Sequence, residues 1–316
     1  MISFKRFGAR VTHGDSMVLY PRWRAPACIM VDGPYGIGGY PGDPKSYDEL
    51  PGFYEPHIKA WSGRAVPETT LWFWGTELGW ATVHPLLKEA GWFYRALNVW
   101  DKGMGHVAGN VNTGTIRSFP VVSEVCAQYV RASKLELADG SLVFGGDWMR
   151  SEWIRTGLPM REANKACGVK DAATRKWLTK EEALWYAPPQ DRYDALVAYA
   201  NRHGAKDGRP YFSRELKIRR ARFQCEFGVT NVWSVPQLSK ADRQGHPNTK
   251  PHGLVKRIVS VSTVAGDMVW EPFGGTCPAA RVTLELAGRE SESAEVSVEF
   301  YESAKKSFSM LSQSTG

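Results

Sequence analysis

The sequence predicts an α/β fold in which one sheet is assembled from both ends of the chain around a mostly helical insert. Three observations lead there. Residues 10–129 alternate short apolar runs with helix-like stretches, the pattern of strands and crossover helices. The pattern lapses in the middle of the chain, where basic residues gather, and it resumes from residue 252 onwards. The predicted organisation is therefore a first sheet-bearing part over 1–147, an insert over 148–240 and a second sheet-bearing part over 241–316. A chain of 316 residues suits either about two domains or one large domain with an insertion.

Taken in order, the apolar runs at 27–32, 70–75 and 93–100 predict strands, with helices over 47–61 and 78–90 between them. The Gly- and Asn-rich stretch 103–117 lacks periodicity and predicts a loop. In the insert, Met160, Ala163, Ala166 and Val169 fall on one helical face, Gly168 stands where a tight turn would come, and 172–178 offers a second short helix. That spacing is how a helix-turn-helix unit reads. Residues 202–222 then hold eight Lys or Arg against Asp207 and Glu215, a run that is as readily a solvated face as a phosphate-contacting one. Further on, 252–264 predicts a basic amphipathic helix and 267–273 a strand entering a Gly-rich turn. A helix over 277–287, a strand near 294–298 and a last helix over 299–311 complete the pattern, with a frayed end.

Composition narrows the function classes. The hydrophobic fraction of 43% and the negative mean hydropathy are those of an ordinary globular protein, enriched in tryptophan. A formal charge of +7 favours a polyanionic partner, because Lys and Arg that neutralise phosphates release counterions. No run approaches the ~20 apolar residues that span a bilayer, and the first residues lack a signal-peptide core, so a cytoplasmic protein is expected. The cysteines at 28, 126, 167, 225 and 277 are odd in number and form no Cys-x-x-Cys pair. Neither a disulfide framework nor a metal site is expected from them.

Two local patterns could carry chemistry. Asp32-Gly33-Pro34-Tyr35 follows an apolar strand, and a carboxylate at a strand's C-terminal end sits where open α/β sheets bind ligands. The same residues also make an ordinary turn. The second pattern, Glu271 to Cys277, places Phe273, Gly274 and Gly275 between a strand and a helix, with Glu295 twenty residues after Gly275. Such a turn lets a ligand approach the backbone, and the later acid can take ribose hydroxyls. It is not the Gly-x-Gly-x-x-Gly of dinucleotide enzymes. His246-Pro-Asn-Thr-Lys250-Pro251, by itself, is only a proline-punctuated helix start.

In combination these segments resemble the β-class amino-methyltransferases of DNA. In that family an Asp-x-Pro-Tyr segment, a variable region, a His-Pro-x-x-Lys-Pro and a Phe-x-Gly turn come in this permuted order. The resemblance covers roughly 10–130 and 245–308. It extends to His13-Gly14-Asp15-Ser16, to Trp100-Asp101-Lys102, and to the acidic strand end at Glu295 with the helix after it. It implies a circularly permuted, Rossmann-like methyltransferase sheet with a target-recognition insert, S-adenosylmethionine as cofactor, and double-stranded DNA whose target base is flipped out. Asp32 and the carbonyl of Gly33 would accept hydrogen bonds from the base's amine, beside Pro34, and Tyr35 would stack on the base. Phe273, Gly274 and Gly275, together with Glu271, Lys250, Pro251 and Asp32, would line the cofactor's methionine side. Glu295 would take its ribose and Asp15 would face its adenine. Lys170, Arg175, Lys176, Arg219 and Arg220 are the candidate DNA contacts.

The Asp-first motif favours adenine N6 as the methyl acceptor, with cytosine N4 as the alternative. Two departures stand out. Gly33 replaces the family's usual proline, and Cys277 replaces the last glycine of the Phe-x-Gly-x-Gly turn, where a positive φ would strain a side chain. They motivate a further alternative, a catalytically impaired DNA-binding relic. An RNA or protein-amide methyltransferase is chemically close, but a helix-turn-helix reads duplex grooves. A homodimer is one possible assembly, and a restriction-modification partner is left open.

Overall fold

The computed structural model describes residues 2–39, 42–103, 114–137, 139–181, 184–212, 216–239, 242–243 and 248–310. The predicted loop at 103–117 and the His246-Pro247 start of the Lys-Pro segment lie largely outside them. In chain order the elements begin with strands β1 (Ile2–Arg6) and β2 (Ala9–His13), helix α1 (Ser16–Leu19), β3 (Cys28–Val31), α2 (Leu50–Arg64), β4 (Thr70–Gly75), α3 (Glu77–Glu89), β5 (Phe93–Asp101) and β6 (Ser123–Val130). Next come β7 (Lys134–Glu136), β8 (Leu142–Phe144), α4 (Gly145–Arg155), α5 (Met160–Ala166), a single π turn at Ala173–Trp177, α6 (Gln190–His203) and β9 (Ile218–Arg219). The chain closes with β10 (Val232–Ser234), α7 (His252–Ser262), β11 (Met268–Glu271), α8 (Pro278–Glu285), β12 (Glu290–Glu295) and α9 (Val298–Met310).

Two compact units result, one from Met1–Arg131 with Ala221–Gly316 and one from Ala132–Arg220. The insert thus begins and ends earlier than the composition change at 148–240 suggests. At its end the reason is β10, which pairs in parallel with β5 through Trp233 and Trp100 and so ties residues after 220 to the large sheet. At its start, β7 and β8 pair with each other, and β7 also with β9, in a small separate sheet.

The first unit is a mixed, mainly parallel sheet of order β1-β2-β12-β11-β3-β4-β6-β5-β10, with β1 and β6 antiparallel to their neighbours. β3, β4 and β11 are buried along their whole length, which is why they read as unbroken apolar runs. Alternate side chains serve two layers. Ile29, Val31, Leu71, Phe73 and Trp270 pack with Tyr54, Ile58 and Trp61 of α2 and Val83 and Leu87 of α3. Cys28, Met30, Trp72, Trp74 and Val269 meet Leu254, Val255, Ile258 and Val259 of α7 on the opposite face. Each such burial stabilises by on the order of 2 kcal/mol. The buried indoles keep their polar handles satisfied where they can: Trp72 donates to the Ser262 hydroxyl at 2.8 Å and Trp270 to the Arg24 carbonyl at 2.8 Å.

From β3 the chain proceeds to β4 on one side, while from β11 it proceeds to β12 on the other. β3 and β11 are parallel neighbours, so their C-terminal ends border a crevice at a topological switch point, where α/β sheets bind ligands. The last strand, β12, runs over 290–295 and not 294–298. Its sequence Glu-Ser-Glu-Ser-Ala-Glu hides it from a hydrophobicity search. Ser291 and Ser293 are fully buried, partnered by the hydroxyl of Thr283 and the carboxylate of Glu271.

The second unit packs Met149, Trp153, Ala163, Cys167, Trp177 and Leu196 into its own core. Gly168 takes the left-handed conformation (φ +61°) after α5. The next element, at Ala173–Trp177, is one π turn, shorter than the second helix expected over 172–178.

Candidate active site

A cavity of about 360 Å³ opens at the switch point. Its lining includes Asp15, Asp32–Tyr35, Lys250, Glu271, Phe273–Gly275 and Glu295, so residues more than two hundred positions apart share one space. The front and back of the chain meet there because β3 and β11 are hydrogen-bonded neighbours.

Asp32 stands at the end of β3 at the head of a buried ionic cluster. Its Oδ1 accepts the Lys250 ammonium at 2.7 Å and the Tyr35 hydroxyl at 3.0 Å. Lys250 also donates to the Tyr35 oxygen at 2.9 Å and lies 3.3 Å from Glu124, while Lys102 pairs with the other Glu124 oxygen at 2.5 Å. Lys250 is 1% exposed, and the rings of Tyr35 and Trp74 lie 5.3 and 5.2 Å from its nitrogen. Burial alone would lower the Lys250 pKa, but the two carboxylates carry it above the ordinary lysine value. Burial likewise opposes ionisation of Glu124, yet Lys250 and Lys102 prevail and hold it at about 2. Two carboxylates against two ammonium groups leave the cluster neutral, and the second Asp32 oxygen has no hydrogen-bond partner among the described residues.

The loop after Asp32 is fixed from below. Asp43 accepts the backbone N–H groups of Tyr35 and Gly36 at 2.9 Å each and that of Gly39 at 3.0 Å. Tyr54 of α2 donates to the Pro34 carbonyl at 2.9 Å. Gly33 has a steric cause: a Cβ there would come within 2.6 Å of the Tyr54 hydroxyl and 2.8 Å of the Phe273 ring, so the family's usual proline has no room. Tyr35, expected as a stacking platform, lines the cavity, is 6% exposed and has its hydroxyl held in the cluster.

On the other wall, Glu295 accepts the Gly275 N–H at 2.6 Å and the Ser297 N–H at 2.7 Å, one on each oxygen, which leaves further lone pairs on the cavity side. Burial raises its pKa against those donors. Glu271 lines the cavity, as expected, and also ties its floor together. Its carboxylate accepts the amides of Ala279 and Ala280 and the Ser293 hydroxyl, bridging the start of α8 to β12. Cys277 adopts the strained left-handed conformation (φ 54°, ψ 54°), at a cost of about 1 kcal/mol. Its sulfur fills the space beside Gly274, where a Cβ would lie 2.8 Å from it.

Asp15 caps α1 through Met17 N–H at 2.8 Å and keeps its carboxylate exposed at the cavity. Pro251 starts α7 and is absent from the lining. Lys170 and Arg175 are exposed on the second unit, with Arg175 paired to Asp171 at 3.0 Å. Lys176 and Arg219 are half-buried and Arg220 is exposed. Sequence patterns alone missed Glu124, Asp43, Tyr54 and His57. Glu124 had a signal, a lone acid in the otherwise strand-like run of β6. The others had none. Among the described residues no group of side chains could hold a metal ion, and no helix is long and apolar enough to cross a membrane.

The donor set suits a methylsulfonium nucleoside. Acidic groups face a cationic, hydroxyl-bearing ligand, and the Phe53, His57 and Phe273 rings offer a flat apolar wall.

Comparison with known proteins agrees with this geometry. The sequence profile of the N6/N4 DNA methylases matches residues 27–306, and the chain belongs to that family. The DNA adenine methyltransferase YhdJ of Escherichia coli K12 is 33% identical over 72 residues, 22% of this chain and 24% of YhdJ, so the match spans about a quarter of that relative's length. Among solved structures, the M1.HpyAVI–SAM complex superposes with a TM-score of 0.54 at 13% identity, covering 94% of this chain and 98% of that one. The cytosine-N4-specific PvuII DNA methyltransferase gives 0.51 at 11% identity, with 94% and 85% covered. At these identities the two structures speak for the fold, a methyltransferase α/β sheet.

Proposed function

We propose that this protein transfers a methyl group from S-adenosylmethionine to the N6 amine of adenine flipped out of duplex DNA. The observation that carries the proposal is Asp32. One of its oxygens is anchored by Lys250 and Tyr35, the other is unpartnered among the described residues, and the residue lines the same cavity as the Phe273–Gly275 turn and Glu295.

An exocyclic amine conjugated to its ring is a poor nucleophile. The second Asp32 oxygen and the Gly33 carbonyl would accept its two hydrogens and draw the nitrogen towards a tetrahedral shape, freeing its lone pair for in-line attack. Glu295, Asp15 and the Phe273–Gly275 turn would hold the cofactor, which supplies the electrophilic methyl. The new N–C bond would form as the methyl–sulfur bond breaks, its electron pair staying on sulfur as a neutral thioether, and the amine would give up one proton that Asp32 is placed to accept. With Oδ1 held by Lys250, Asp32 is foremost a hydrogen-bond acceptor and positioner of the amine.

Adenine is favoured by the Asp-first motif and by the name of the partial relative YhdJ. The net charge of +7 supports a DNA partner, with Lys170, Arg175, Lys176, Arg219 and Arg220 as phosphate contacts. The test is incubation with labelled cofactor and plasmid DNA, then digestion to nucleosides. Label in N6-methyl-2′-deoxyadenosine is expected, and label in N4-methyl-2′-deoxycytidine would overturn the choice of base. Asp32→Ala should abolish transfer while cofactor still binds. Loss of cofactor binding in that variant would contradict the role given to Asp32.

A further inference from the structure

His57 projects from α2 into the cavity wall, is 6% exposed, and has no part in the chemistry described so far. Its Nδ1 lies 2.9 Å from the Tyr20 hydroxyl, and that hydroxyl receives the Trp61 indole N–H at 2.9 Å. An indole nitrogen can only donate, so Trp61 takes a lone pair of the phenol oxygen, whose own proton is available to His57 Nδ1. With Nδ1 accepting, the neutral ring carries its proton on Nε2, which has no hydrogen-bond partner among the described residues.

The surroundings define what that proton meets. Phe53 stacks on the imidazole at 5.2 Å and Phe273 lies 5.0 Å away, forming one aromatic wall. The exposed Asp15 carboxylate lines the same cavity and is close enough to act on His57 electrostatically. Its charge disfavours an anionic acceptor, such as a carboxylate, beside the ring. A neutral acceptor is favoured, and the aromatic wall suits one carried on a flat ring, such as an unprotonated nitrogen of a heterocycle. We infer that His57 donates its Nε2–H to a purine ring nitrogen of the cofactor, making it a binding and specificity residue for the adenine end of S-adenosylmethionine. Burial holds the imidazole neutral, with a pKa near 4, so the donor is the neutral ring across the physiological range.

This rests on the cavity being the cofactor site, and the experiment separates the two. Affinities of S-adenosylhomocysteine and its 1-deaza, 3-deaza and 7-deaza analogues are measured by calorimetry for the wild type, His57→Asn and His57→Gln. Asparagine places its amide nearer the Nδ1 position and glutamine nearer Nε2. One analogue should bind the wild type about 5–10-fold more weakly than the parent, as expected for one lost hydrogen bond. His57→Asn should weaken the parent by a similar factor and leave that analogue unchanged, while His57→Gln should retain most of the affinity. Nitrogen-15 spectra of the ligand-free protein should show Nε2 protonated.

Equal loss for all four ligands in His57→Asn, or no loss, would overturn the inference while leaving the cofactor site intact. So would an Nδ1-protonated ring. Failure of the wild type to bind S-adenosylhomocysteine at all would overturn the cofactor site and this inference with it.

Discussion

Replacing Lys250 with methionine keeps the stem length and removes the charge that neutralises two carboxylates. In the native cluster the ammonium is 2.7 Å from Asp32 and 3.3 Å from Glu124 and is 1% exposed, so solvent cannot substitute for it. Removing one partner of a buried ion pair typically costs about 3–5 kcal/mol. The position of Glu124 gives an independent figure. Its pKa stands at about 2 against an ordinary 4.5, where Lys250 and Lys102 outweigh burial, and that difference corresponds to about 3 kcal/mol of stability. The sign comes from the depression: this stability is fully present above about 4.5 and is lost as pH falls through about 2. Urea unfolding monitored by tryptophan fluorescence should therefore show Lys250→Met destabilised by about 3–5 kcal/mol at pH 7, with a shallower loss on acidification than the wild type. Lys250→Met combined with Glu124→Gln should recover at least about 1 kcal/mol relative to the single variant, because one uncompensated charge has gone. A cost under about 1 kcal/mol, or strict additivity of the two changes, would refute the coupled cluster.

The walls of the cavity carry two further expectations. Burial pushes Glu271 up to about 7, so between about 4.5 and 7 the folded state holds a proton that the unfolded state has released, and stability falls as pH rises through that window. Glu271→Gln should remove that slope and cost about 1–3 kcal/mol, because its amide nitrogen must face one of the donors, Ala279 on one side or Ala280 and Ser293 on the other; a pH series of melting curves that keeps the wild-type slope would contradict it. Gly33→Ala should destabilise by about 1–3 kcal/mol through its contact with Tyr54 and Phe273, and less in a Tyr54→Phe background. A change within about 0.5 kcal/mol would show that the loop yields freely.

The order of elements was legible because fully buried parallel strands must be continuously apolar. The runs at 27–32, 70–75 and 93–100 announce β3, β4 and β5 within a residue or two. The same rule conceals β12, whose buried serines are matched by a hydroxyl on α8 and a carboxylate on β11 and not by apolar packing. The Asp32 and Phe273 motifs could be found because each is short and local. Their meeting in one cavity is a property of the β3–β11 pairing.

Local pattern therefore determined the catalytic-type loop, the glycine turn and the family to which they belong, since turn chemistry and strand periodicity are written over a few adjacent residues. Only the tertiary structure decided what those motifs touch. Lys250 reaches Asp32 across 218 positions, Glu124 and Lys102 complete the charge balance, and Tyr20 with Trp61 sets the imidazole of His57. Charges and protons respond to distance and burial, and neither is encoded by neighbours along the chain.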